Sequence, residues 1–212
     1  TGPATMRAVR RRLSILFLLC LPAVLTAAPY TPVDDAQVIE RVPARASDPR
    51  ARELHALRRQ LAGAPNDLAL AVRYAQRCYD EVAAQGDPRY VGYAQAALQP
   101  WLGLADPPPE VRVLRAILLQ FDHRFEPALQ DLEAVLRADP GHVEAGAWRT
   151  AILMVRGNYA GARESCRQLA PYATALGAAA CLAQVDAATG RAAQAATALR
   201  TALLANPQAP AP

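Results

Sequence analysis

Residues 109–140 read PEVRVLRAILLQFDHRFEPALQDLEAVLRADP. Two apolar runs lie in this stretch: Val111, Leu114, Leu118 and Leu119, then Phe125, Leu129, Leu132, Val135 and Leu136. Apolar residues three and four apart share one face of a helix, so each run predicts an amphipathic helix. A tight-turn tripeptide, His123-Arg124-Phe125, separates them, and Ala138-Asp139-Pro140 closes the second. The same features return further on. The turn recurs as Gly157-Asn158-Tyr159 and Gly190-Arg191-Ala192, and the alanine after it recurs as Ala128, Ala162 and Ala195. The stop recurs as Ala205-Asn206-Pro207, 67 residues after Pro140 and close to two units of 34. Paired helices at that period predict an all-α solenoid in which each pair covers its neighbour.

Composition agrees with helices packed through small side chains. Apolar residues make up 52% of the 212 and aromatics only 6%, while alanine is abundant. Alanine is the best helix former and is depleted in strands. The formal charge is +4, yet Arg7, Arg10, Arg11 and Arg12 precede the first apolar run with no acid before Asp34. Without residues 1–28, 19 basic residues face 19 acidic ones and the net charge is 0. Nucleic acid is therefore not expected as a partner, since binding to phosphates needs a basic surface.

Residues 1–28 read as a leader. Thr1 to Thr5 precede the first methionine, so Met6 is taken as the natural start. A basic segment, an apolar run of about 11 residues from Ile15 to Leu25, and the small residues Thr26, Ala27 and Ala28 follow. That order predicts a secretory signal peptide and a periplasmic or secreted mature protein. The run is too short to span a bilayer as a helix, which takes about 20 residues, and the mature chain is expected to have no stable membrane span. Leu19 before Cys20 argues against a lipoprotein acceptor, and the surroundings of Arg11-Arg12 fit a twin-arginine signal poorly.

Residues 29–47 are rich in proline and charge and read as a linker, 48–207 as the repeat domain, and 208–212 as a tail. Asp48-Pro49 opens the domain as an acidic N-cap followed by proline at the first helical position. Leu54, Leu57 and Leu61 share one face, and Gly63 and Pro65 end that helix, which reads as an N-terminal cap on the stack. A helix from Leu68 to about Ala84 follows, with Leu70, Tyr74, Cys78 and Val82 in a ladder. Next comes one carrying Tyr90, Tyr93, Ala94, Ala97 and Leu98, whose stop drifts from Pro100 and Trp101 to Pro107-Pro108-Pro109. The remaining units run from Pro109 to His142, from Val143 to about Ala175, and from Leu176 to Pro207.

With Gly157-Asn158-Tyr159, the alanines Ala128, Ala162 and Ala195, and the prolines Pro140 and Pro207 in place, residues 48–207 resemble the tetratricopeptide repeat family. The phrasing from Gly86-Asp87-Pro88 to Leu98 is similar to exported bacterial members. The resemblance implies a right-handed superhelix of antiparallel helix pairs, whose first helices line a concave groove for a peptide or a partner's helix. Phasing then puts Val72, Gln76, Tyr79, Val113, Ile117, Gln120, Phe121, Ala147, Ala151, Met154 and Gln184 near the groove. These are mostly apolar, so the basic and amide clamp with which some members grip a C-terminal carboxylate is not expected. The family's first-helix tryptophan has no counterpart in the unit from Pro109, and Trp148 stands about two positions late.

No chemistry is indicated. His55, His123 and His142 lack a second ligand at metal spacing, and the last two are expected in exposed loops. No nucleophile elbow or phosphate loop occurs, and Asp131 and Glu133, two apart on a helix, form no catalytic pair. Catalytic residues, metal and cofactor are all expected to be none. After leader removal Cys78, Cys166 and Cys181 remain. Cys166 and Cys181 fall on adjacent helices, as a disulfide or as two buried small hydrophobes, and Cys78 reads as a packed thiol. Leu199, Leu203 and Leu204 lie at the end of the stack, where a polar face is the rule. They are expected as a C-terminal interface, for self-association or for docking into an envelope complex. Otherwise the expectation is a non-catalytic scaffold that binds a protein or peptide.

Overall fold

The computed structural model describes residues 30–34, 36–39 and 48–205. The chain divides into two units, Thr1–Ala44 and Arg45–Pro212. In the first, Asp34 makes a local turn: its Oδ1 accepts from the Ala36 N–H at 3.0 Å and its carbonyl from the Gln37 N–H at 3.0 Å.

The second unit carries nine helices among the described residues and no strand: α1 (Pro49–Gly63), α2 (Leu68–Gln85), α3 (Arg89–Leu102), α4 (Pro109–Phe121), α5 (Phe125–Ala138), α6 (Val143–Val155), α7 (Tyr159–Leu169), α8 (Ala175–Ala188) and α9 (Ala192–Leu204). Side-chain caps start several of them, the first being the acidic cap read at Asp48 in the sequence. Asp48 caps α1 by accepting from the Arg50 N–H, Asp67 caps α2 through Leu70, and Asn158 caps α7 through Gly161. Each cap satisfies a backbone donor that a helix start leaves without a partner. Pro100 interrupts neither the course nor the end of α3, which runs two residues beyond it. The stop expected there moves to Gly103.

Helices pair as α2/α3, α4/α5, α6/α7 and α8/α9, with α1 against α2. The first helices of successive pairs also touch, α2 with α4, α4 with α6 and α6 with α8, and so form an inner layer. This is the right-handed superhelix of antiparallel pairs. The three turns share one backbone conformation: His123, Gly157 and Gly190 all have positive φ, at 58°, 72° and 84°. Only a left-handed residue lets the chain reverse so tightly, and glycine adopts that conformation without strain. The following alanines, Ala128, Ala162 and Ala195, are all buried where the paired helices cross. At Gly146 the approach is closer still, for a Cβ there would stand 3.1 Å from Leu169 Cδ1.

The principal core runs from Leu54 to Ile152 and holds most large apolar side chains. A second, smaller core joins Leu153, Ala162, Cys166 and Val185. The last pair rests on little: α8 buries Ala183 and Val185, and α9 only Ala195. Two other links fasten it. Cys166 on α7 is bonded to Cys181 on α8, with Cα atoms 5.6 Å apart. Asp186 accepts from Arg163 of α7 at 2.5 Å and from Arg191 at 2.9 Å, and those hydrogen bonds hold its carboxyl below the usual range.

A buried ion pair secures the expanded loop between α3 and α4. Asp131 on α5 receives Arg115 on both oxygens, Nε to Oδ2 at 2.6 Å and Nη2 to Oδ1 at 2.5 Å. Arg115 also donates to the Leu102 carbonyl, and Arg112 to the Pro107 carbonyl and to Asp106. Asp131 is thus the anchor of a crossing between α3, α4 and α5.

Candidate protein-binding surfaces

The inner layer does not present the open groove that phasing predicts. Tyr79 on α2 and Trp148 on α6 meet edge-to-face, ring centroids 5.7 Å apart and planes at 77°. The helix between theirs in the inner layer is α4. Its Val113 and Ile117, expected on the groove, are 2% and 1% exposed. They belong to the principal core, against which Tyr79 and Trp148 themselves pack. The expectation for these two residues is therefore corrected: both side chains are packed into the core instead of facing an open groove. Burial raises the Tyr79 hydroxyl pKa.

The other expected groove residues divide by position. Val72 is half-buried against the principal core. Gln76 donates to Asp80 at 3.1 Å and lines a polar cleft of about 440 Å³ between α1 and α2, with Glu53, Gln60 and Arg73. Gln120 is half-buried and Phe121, at the end of α4, is 37% exposed. Ala147, Ala151 and Met154 recur at spacings of four and three on one face of α6, Ala147 exposed and the other two half-buried. Met154 packs against the second core, and Gln184 on α8 is exposed. On α6 and α8 the expected groove residues form a strip of small and flexible side chains, Ala147 and Gln184 exposed and Ala151 and Met154 half-buried.

At the far end, Leu199 is half-buried, whereas Leu203 and Leu204 are 45% and 79% exposed. His123 is exposed, as expected, but His142 is not a free loop residue: it caps α6, its Nδ1 accepting from the Ala145 N–H at 3.3 Å. A histidine acceptor replaces the usual hydroxyl or carboxylate, which is why the sequence pattern did not flag it. Cys78 is wholly buried, and burial pushes its thiol up to about 11. No group of metal-ligating residues occurs among the described residues, and no described helix is long and apolar enough to cross a membrane.

One site was not legible beforehand. Ala51, Leu54, His55 and Arg58 of α1, Tyr74 of α2, and Asp87, Arg89, Tyr90 and Tyr93 enclose a cleft of about 180 Å³. Tyr90 and Tyr93 form a corner, their rings 5.7 Å apart at 83°. The Arg58 guanidinium lies over the Tyr93 ring, 5.7 Å from its centroid. The tyrosines read in the sequence as positions along one helix, and only the folded chain brings Arg58 of α1 to them.

Neither a protein-family model nor a curated relative matches the sequence. Two solved structures are similar in fold. A crystal structure of MamA superposes with a TM-score of 0.55 at 13% identity, over 83% of this chain and 95% of that one. A second, of the MamA protein, gives 0.56 at 13%, over 79% and 92%. Both are tetratricopeptide solenoids. The likeness establishes that fold for this chain.

Proposed function

We propose that this chain is a non-catalytic protein-interaction scaffold of the bacterial cell envelope, exported by its leader and binding a peptide or partner helix along the inner face of α6 and α8. The observation that carries the reading is the strip of Ala147, Ala151 and Met154 on one face of α6, one exposed and two half-buried, with Gln184 exposed on α8, beside an α4 whose Val113 and Ile117 are buried. Small residues let a partner backbone come close, and methionine adapts to an irregular surface. The export half rests on the leader of residues 6–28, and the Cys166–Cys181 disulfide fits an oxidising compartment. Enrichment of binders from a displayed peptide library, followed by calorimetry on the Ala151→Arg and Met154→Arg variants, tests the binding half. Loss of affinity by tenfold or more in both variants, with an unchanged melting curve, supports it; unchanged affinity sinks it. Fusion of residues 6–48 to a reporter active only outside the cytoplasm tests the export half.

A second reading is favoured by Leu203 and Leu204. Two exposed leucines side by side are a small apolar surface of the kind that docks, so the chain would be a subunit held through α9. Sedimentation at several concentrations separates the two: a monomer speaks for the scaffold, and self-association abolished by Leu203→Ser with Leu204→Ser speaks for the subunit.

A further inference from the structure

We propose that the cleft between α1, α2 and α3 is a second binding site, which takes an extended peptide presenting a proline ring beside an aspartate or glutamate. This goes beyond the scaffold reading, because the site uses none of the α6 and α8 residues on which that reading stands.

Size and shape set the first requirement. The cleft holds about 180 Å³, comparable to the roughly 150 Å³ cavity that accommodates a benzene ring. That is room for about one ring. Tyr90 and Tyr93 stand nearly perpendicular and Tyr74 closes the inner wall, so a flat or puckered ring is met by aromatic surface on more than one side. Aromatic-lined grooves of this kind dock proline in extended segments, whose backbone has little freedom left to lose.

Charge sets the second requirement. Arg89 and Asp87 neutralise one another, Nε to Oδ1 at 3.0 Å and Nη2 to Oδ2 at 2.7 Å. Arg58 has no such partner: among the described residues it makes no ion pair, and its guanidinium is held over Tyr93 at the cleft wall. Its charge also reaches the Tyr74 hydroxyl. A guanidinium engaged by a ring still has N–H groups to donate, and its planar fork matches a carboxylate through two parallel hydrogen bonds. The cleft therefore complements an anion next to a ring.

The test uses the purified chain and an array of acetylated, amidated decapeptides with a fixed Pro-Glu core and varied flanks, read by fluorescence anisotropy. A subset should bind, weaken tenfold or more when Glu becomes Gln or Pro becomes Ala, and weaken with added salt. Arg58→Gln should remove the preference for Glu over Gln while leaving the melting temperature and the affinity of α6-strip peptides unchanged. Tyr93→Ala should weaken both peptides alike. Equal binding of the Glu and Gln peptides to the wild type, a preference that survives Arg58→Gln, or no binding at 1 mM across the array would overturn the proposal. So would concentration-dependent self-association lost in Arg58→Gln, which would make a second copy of the chain the occupant.

Discussion

The ring of Tyr79 meets the ring of Trp148 edge-on across the inner layer, 5.7 Å between centroids, although their helices belong to repeats on either side of α4. A contact between next-nearest repeats sets a limit on how far the superhelix can open at that level. Trp148→Ala should destabilise by about 2 kcal/mol, below the usual cost of a fully buried tryptophan because this one is half-buried. Combined with Tyr79→Ala in a double-mutant cycle, the coupling should be about 1 kcal/mol. Denaturant titration of the four proteins checks it; additive effects would mean that the two rings are merely adjacent.

His123 holds the left-handed turn position that Gly157 and Gly190 hold in the next two repeats. A side chain in that conformation is strained by about 1 kcal/mol, more than histidine's edge contact with Phe125, 5.8 Å away, is expected to return. His123→Gly should therefore raise stability by about 0.5 kcal/mol. A lower melting temperature for that variant would show that the ring contact outweighs the strain.

The pair α8/α9 depends on links rather than on burial. Opening the Cys166–Cys181 loop, 15 residues apart, should cost about 3 kcal/mol by the chain-entropy estimate. Hydrogen exchange on the Cys181→Ala variant should show faster exchange confined to α8 and α9, with α2 to α5 unchanged. Uniform acceleration would mean that the solenoid unfolds as one unit.

Alkaline pH should weaken the fold through Cys78. Its thiol titrates near 11 when folded and near 8.5 when unfolded. Between those values the unfolded chain binds fewer protons than the native one, so stability is complete below about 8.5 and falls by about 1.4 kcal/mol per pH unit until about 11. Burial of Tyr74 raises its hydroxyl pKa as well and adds to the loss at the upper end. Denaturant midpoints measured from pH 8 to 11 for the wild type and Cys78→Ala check this: the wild type should show the steeper decline. In the native state Cys78 should resist alkylation at pH 8.

The repeat was legible because its signals are local. A left-handed turn calls for glycine, a close helix crossing calls for alanine, and both recur at a fixed interval whatever surrounds them. The groove was not, because accessibility depends on neighbours: Val113 and Ile117 are phased towards the inner face but are packed into the principal core, against which Tyr79 and Trp148, some 70 residues apart in sequence, also pack. Trp148 had read as out of register for its repeat, which was the one local hint. The sequence weighs Asp131 only against Glu133, two residues on, whereas its partner, Arg115, lies on the facing helix. The tyrosine and Arg58 cleft draws on three helices and left no pattern in any of them.

The scaffold reading stands on binding of a protein segment along the face of α6 and α8. Hydrogen exchange with and without the tightest peptide selected from a displayed library tests it most directly. Protection should concentrate in α6 and α8, around Ala147, Ala151, Met154 and Gln184, and be lost in Met154→Arg. Protection confined instead to α9 around Leu203 and Leu204, or to the outer helices α5 and α7, would contradict it.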